Sequence, residues 1–147
     1  MDVRLIKFNL LGDKRGALVS LEQNKNVPFK IRRVYYVYGT KKEFVRGKHA
    51  HTSLKQLAVC VSGHCTFLLD DGKVRREITL DSPQVGLYIG NNIWREMYNF
   101  SENCVIVVLA NKLYDEDEYI RDYEVFLNRV NTIHKRYGSY RNKLKRV

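Results

Sequence analysis

The sequence predicts an all-β domain, a sandwich or barrel of short strands closed by one C-terminal α-helix. Strand-length runs rich in Val, Ile, Tyr, Phe and Thr follow one another from about residue 17 to 110. Turn signals fall between them, at Ser62-Gly63-His64, Asp70-Asp71-Gly72 and Ser82-Pro83. Beyond residue 113 the apolar spacing changes to that of a helix. Closing such strands into a barrel also removes the exposed edges that lead to aggregation.

In chain order, the strand-like segments are 17–23 (ALVSLEQ), 31–39 (IRRVYYVYG), 48–54 (KHAHTSL), 55–63 (KQLAVCVSG) and 65–70 (CTFLLD). Then come 76–80 (REITL), 84–90 (QVGLYIG), 94–100 (WREMYNF) and 104–110 (CVIVVLA). Behind the acidic run DEDE, which suits a helix N-terminus, Tyr119, Ile120, Tyr123, Phe126, Leu127 and Val130 recur at helical spacing. One amphipathic helix against the outside of the barrel is expected. A chain of 147 residues suits a single domain, 1–131 including that helix, followed by a basic tail over 132–147.

The net charge of +10 raises the question of nucleic-acid binding, and its distribution answers it. Residues 132–147 hold 6 Lys/Arg and no acid, whereas the preceding 131 residues hold 20 Lys/Arg against 16 Asp/Glu. Much of the excess is therefore a solvated tail, and no nucleic-acid partner is expected. The apolar runs 57–61 and 104–110 are strand-length, far short of a membrane span, and the N-terminus has no secretory pattern. A cytoplasmic protein with no membrane partner is the expectation. Cys60, Cys65 and Cys104 lack CxxC spacing and are odd in number, so they read as buried free thiols.

The stretch that carries chemistry is Arg46-Gly47-Lys48-His49-Ala50-His51. Residues i and i+2 of a strand share a face, so His49 and His51 project together, toward the interior in a barrel. Arg33 and Tyr35 share a face in the same way on the preceding strand, with Val34 and Tyr36 on the other.

The run from His49 to Gly63 resembles the first cupin motif, an HxH followed by a Glu and then a Gly, with Gln56 at the Glu position. In GNNIWREM, Arg95 stands where the second cupin motif has its histidine. A carboxamide is a poor ligand and a guanidinium offers no lone pair, so no metal and no other cofactor is expected. Both imidazoles are left as acid–base groups, with an ordinary pKa near 6.5 suited to that work.

The combination IRRVYYVY, RGKHAH, ITLDSPQVGLYIG and WREM resembles the dTDP-4-keto-6-deoxyglucose 3,4-ketoisomerases, cupin jelly-roll β-barrel enzymes, over about residues 5 to 127. The resemblance implies a homodimer and transfer of a ketone from C4 to C3 of a dTDP-linked 4-keto-6-deoxyhexose. The product would be a 3-keto sugar on the way to 3-amino-3,6-dideoxyhexoses. It implies His51 as the main base, with His49 assisting proton transfer between O3 and O4. Tyr35 is a candidate catalytic hydrogen-bond donor to a sugar oxygen, or a barrel-wall aromatic. Arg33 and Arg46 are candidates for the diphosphate, and Trp94 and Arg95 flank the barrel mouth, where Trp94, the only tryptophan, reads as a core residue before a substrate contact. Arg95 resembles the gluco-product branch of the family and Arg15 the galacto branch, which leaves the C4 configuration open. RGKH is also similar to the 3,5-epimerases of the same substrate, and a non-catalytic sugar-nucleotide-binding cupin is a third reading.

Overall fold

The computed structural model describes the backbone of residues 1–144 and the side chains of residues 1–136. The strands are β1 (Val3–Lys7), β2 (Leu11–Asp13), β3 (Gly16–Leu18), β4 (Arg33–Val37), β5 (Arg46–His51) and β6 (Gln56–Ser62). They continue as β7 (Cys65–Asp70), β8 (Arg75–Leu80), β9 (Val85–Ile89), β10 (Trp94–Tyr98), β11 (Val105–Ala110) and β12 (Tyr119–Ile120), before the helix α1 (Tyr123–Leu144). Two five-stranded antiparallel sheets result, ordered β1-β9-β6-β11-β4 and β12-β5-β10-β7-β8, with β2 and β3 as a separate hairpin. This is the two-sheet jelly roll expected of a cupin.

Three apolar layers hold it. Between the sheets lie Ala58, Cys60, Phe67, Leu69, Leu87, Ile89, Ile106 and their neighbours. Outside the first sheet, Leu57, Val59, Tyr88 and Leu109 pack under Val27 and Phe29. Outside the second, Ala50 and Trp94 meet Phe126 and Val130 of α1. The run LAVCV is continuously apolar because β6 is central and covered on both faces: Leu57 and Val59 face the outer layer, Ala58 and Cys60 the inner one. All three cysteines are buried and free. Gly63 and Gly72, with φ of 66° and 83°, close the β6–β7 and β7–β8 hairpins.

Three segments differ from the sequence expectation. The strand expected over 17–23 ends at Leu18, and the chain onward to Ile31 is a cover whose Val19, Leu21, Val27 and Phe29 anchor on the first sheet instead of pairing with it. The edge strand β1 has no counterpart in the expectation, because its apolar residues are interrupted by Arg4 and Lys7. The DEDE run is not a helix start. Asp115 caps a single 3-10 turn over Glu116–Glu118, and Tyr119–Ile120 pairs with β5 as a strand. The helix begins only at Tyr123, where the Asp122 carboxylate accepts from the Val125 backbone N–H at 2.9 Å. It runs unbroken past residue 132, and the side chains of the basic tail beyond residue 136 lie outside the described residues. Among the described residues no helix is long and apolar enough to cross a membrane.

Trp94 belongs to the helix-facing layer. Its ring lies 5.1 Å from Tyr123 and 5.7 Å from Phe126, and its indole N–H donates to Glu96. Trp94→Ala is expected to cost about 3–5 kcal/mol in urea unfolding.

Candidate active site

The site begins with a bulge. β5 pairs with β10 through Arg95↔His49 and Glu96↔Gly47, so Lys48 is left without a partner in the ladder. Gly47 and Lys48 both take positive φ, 90° and 53°, and a Cβ at residue 47 would lie 2.8 Å from the Arg95 carbonyl oxygen. Only glycine fits that close approach. Past the bulge, both histidines point between the sheets. His49 Nδ1 lies 3.0 Å from the Gly47 carbonyl oxygen. A carbonyl only accepts, so Nδ1 carries the proton and Nε2 keeps its lone pair. His51 is fully buried, its ring 4.7 Å from that of His49 and nearly perpendicular to it, and neither ring nitrogen has a protein partner.

Behind the imidazoles runs a polar chain from Arg95 to Tyr35. The buried Arg95 guanidinium donates to the Ile93 carbonyl at 2.9 Å and to Gln56 Oε1. With its oxygen turned to Arg95, Gln56 presents its amide N–H to the Tyr35 hydroxyl at 2.7 Å. Tyr35 thus accepts from Gln56 and has its own O–H to donate. The fixed cation also acts on the histidines. Burial first and Arg95 second push His49 down to about 4 and His51 down to about 2. Neither imidazole has the ordinary value expected from sequence; both are neutral bases at pH 7. Burial lowers Arg95 itself to about 10 and raises the Tyr35 phenol.

These residues do not fit a divalent metal. Gln56 directs its oxygen to Arg95, and a guanidinium, which has no lone pair to give, occupies the position of the remaining ligand, so the two imidazoles would have to hold an ion alone beside a fixed cation.

A cavity of about 430 Å³ opens in front of the histidines, at the edge where β4 of one sheet faces β5 of the other. Arg33, Tyr35 and Val37 form one wall, Arg46, Gly47 and His49 the opposite one, and Met97, Tyr114, Tyr119 and Arg121 complete it. Arg33, Arg46 and Arg121 make this lining strongly cationic. The Arg33 guanidinium lies 5.2 Å from the centre of the Tyr35 ring, and its buried Nε has no hydrogen-bond partner.

Of the residues singled out from sequence, the fold brings Tyr35, Arg33, Arg46 and His49 onto the cavity wall and His51 and Arg95 behind it. Two are not brought there. Trp94 precedes Arg95, so strand alternation turns it outward onto α1. Arg15 lies at the tip of the exposed β2–β3 hairpin, with its guanidinium bonded to Asp13. Tyr114, Tyr119 and Arg121 were missed because residues 115–120 read as a helix start; the usable signal was the i, i+2 spacing of Tyr119 and Arg121.

The family model described as FdtA: WxcM-like, C-terminal matches residues 1–131. The chain belongs to the FdtA family. This FdtA-family chain is 53% identical over 126 residues to a TDP-4-oxo-6-deoxy-alpha-D-glucose-3,4-oxoisomerase of Aneurinibacillus thermoaerophilus, covering 86% of this chain and 91% of the relative. Among solved structures, a 3,4-ketoisomerase of Helicobacter canadensis superimposes with a TM-score of 0.87 at 47% identity, over 89% of this chain and 98% of that one. A 3,4-ketoisomerase variant of Thermoanaerobacterium thermosaccharolyticum, solved in complex with TDP-4-keto-6-deoxyglucose, matches at 40% identity and a TM-score of 0.87, over 89% and 95% of the two chains.

The lowered histidine values fix the sign of two pH effects. The free enzyme's kcat/KM is expected to hold as pH falls through 6.5 and to drop only toward about 4, where His49 takes up a proton. A limb at the ordinary imidazole value would contradict the burial described. The unfolded chain binds protons on these imidazoles below 6.5 while the folded one does not. Unfolding free energy in urea is therefore expected to be full above that pH and to decline from there toward about 4.

Proposed function

We propose that the chain moves the ketone of TDP-4-keto-6-deoxyglucose from C4 to C3 by histidine acid–base catalysis without a metal. One observation carries the mechanism: His49 stands on the cavity wall as a neutral imidazole with Nδ1–H tied to Gly47 and Nε2 free, opposite Tyr35. His49, and not His51 as the resemblance implies, is therefore assigned the C3 proton. The neighbouring C4 ketone acidifies that proton. As Nε2 takes it, the C–H electrons form the C3–C4 double bond and the carbonyl pair moves onto O4. The Tyr35 hydroxyl donates to the developing oxyanion, and the Arg95 cation stabilises it through space. O4 gains a proton and O3 loses one, a transfer assigned to His51. The C3 carbonyl then forms as C4 takes up a proton. Atoms and electrons balance within the sugar, so no redox partner is needed.

Arg33, Arg46 and Arg121 suit the diphosphate, since guanidinium groups grip phosphate oxygens in pairs. The 3-keto product is the substrate an aminotransferase needs to make a 3-amino sugar. A cytoplasmic location, where nucleotide sugars are made, belongs to the same reading. So does a homodimer, for which the exposed Val34 and Tyr36 of β4, with Tyr38 just beyond it, offer an apolar face; light scattering tests it.

Incubation with the TDP-4-keto sugar in D2O, followed by NMR, is the direct test. Ketoisomerisation places deuterium at C4 and the carbonyl at C3. A 3,5-epimerase would label C3 and C5 and keep the C4 ketone, and a binder would do neither. His49→Asn is expected to lower kcat by about 10²–10⁴-fold. Full activity in that variant, with loss in His51→Asn, would return the base to His51. Activity is expected to survive EDTA; loss restored by a divalent ion would overturn the metal-free mechanism.

A further inference from the structure

His51 raises a mechanical question that its role in proton transfer makes acute. Its ring makes no hydrogen bond among the described residues, so none of their polar groups sets the angle at which its two nitrogens are presented. Only packing holds it. Two rings do so: His49 at 4.7 Å and Tyr119 at 4.3 Å, the latter at 68° to the imidazole plane. Tyr119 also lies 4.9 Å from His49, so the three rings form a closed triangle.

We propose that Tyr119 is a positioning residue of the reaction, its ring holding both imidazoles in their working orientation and closing them from water. This rests on the ketoisomerase reading of the site. The placement is built, not incidental. β12 is two residues long and pairs Tyr119 directly with His51. So short a strand needs an anchor, and Glu118 supplies it. The Glu118 backbone carbonyl accepts from Thr52 N–H at 3.0 Å. Its buried carboxylate accepts from the Thr52 hydroxyl at 2.8 Å, from Ser53 N–H at 2.9 Å and from the Ser53 hydroxyl at 2.7 Å, and it pairs with Lys112 at 2.6 Å. The residues after His51 are thereby locked to the residue before Tyr119. On the far side, the Arg121 guanidinium lies 4.5 Å from the centre of the Tyr119 ring and is held by Glu116 at 2.8 Å.

Removing the ring admits water to the imidazoles and relieves the desolvation that keeps them neutral. The groups acting on them from the surrounding elements are Arg95 of β10, Arg33 of β4, and Glu116, Glu118 and Arg121 around β12. All remain in such a variant, and Glu116 still holds Arg121 when its ring contact is lost, so an upward movement of the acid limb reports the desolvation that the ring supplies.

Tyr119→Leu is expected to lower kcat about 100-fold, as loss of orientation does, with KM little changed. The acid limb of its kcat/KM profile is expected to move up toward 6.5. Tyr119→Phe, which keeps the ring and drops the hydroxyl, is expected to recover most of the lost kcat and to restore the limb. If Phe falls as far as Leu, the hydroxyl and not the ring is the working part, and the proposal fails. It fails equally if Leu keeps its kcat and its limb. Should Tyr119→Leu not fold, Tyr119→Met carries the same expectations. A 15N NMR titration of the histidines, without substrate, reads the same shift whether or not the wild-type protein isomerises the sugar. Failure of the proposal is thus distinct from failure of the ketoisomerase reading.

Discussion

A buried guanidinium, paired with no carboxylate among the described residues, lies inside this barrel, and the chemistry of the site depends on it. Burying an isolated charge is costly unless hydrogen bonds replace its water. Arg95 obtains them from neutral acceptors, the Ile93 carbonyl and the Gln56 side chain. Because those acceptors are neutral, its field is not cancelled locally. It reaches both histidines and adds to the burial that holds them unprotonated. A carboxylate at position 56, as in metal-binding cupins, would neutralise that field and leave the imidazoles easier to protonate. The residues at 56 and 95 therefore act together: they leave two neutral imidazoles beside a fixed cation.

The same cation orders the opposite wall. By taking the oxygen of Gln56 it turns the amide N–H toward Tyr35, which frees the phenol proton for the cavity. A base on β5 and a hydrogen-bond donor on β4 thus face each other across the gap between the two sheets. The jelly roll contributes that gap. β4 is the edge strand of its sheet, and along its outer edge β5 is paired by the two residues of β12. An open edge here is a doorway, and the arginines stand around it.

Local backbone geometry sets the aim of the base. The Gly47–Lys48 bulge puts one extra residue into β5, which turns His49 inward and brings the Gly47 carbonyl under Nδ1. The tautomer of His49 is thus decided by a main-chain bond two residues away. The motif Arg-Gly-Lys-His reads in these terms: the glycine for the close approach to β10, the lysine as the residue left out of the ladder, and the arginine at the cavity.

Much of this was legible in the sequence. Period-two alternation put Arg33 with Tyr35 and His49 with His51, because strand geometry alone decides which side chains share a face. The cupin resemblance marked 56 and 95 as ligand positions, and side-chain chemistry added that Gln and Arg do not ligate there. The β6 run was recognisable because a central strand covered on both sides must be apolar throughout. Other features depended on neighbours distant in the chain. Tyr119 and Ile120 suit a helix as well as a strand, and only the vacant edge of β5 and the Glu118 web decide for the strand. Trp94 and Arg95 both stand near the mouth in the sequence, with Trp94 open to a core or a substrate role, and packing against Phe126 decides for the core. The ordinary imidazole pKa failed for the same reason: desolvation and a buried cation are properties of an enclosure, not of a residue. By itself, the sequence determined which groups were available and which shared a face. The tertiary structure decided which of them line the cavity, in which charge state, and against which wall, because burial, field and aim exist only once the two sheets have closed on each other.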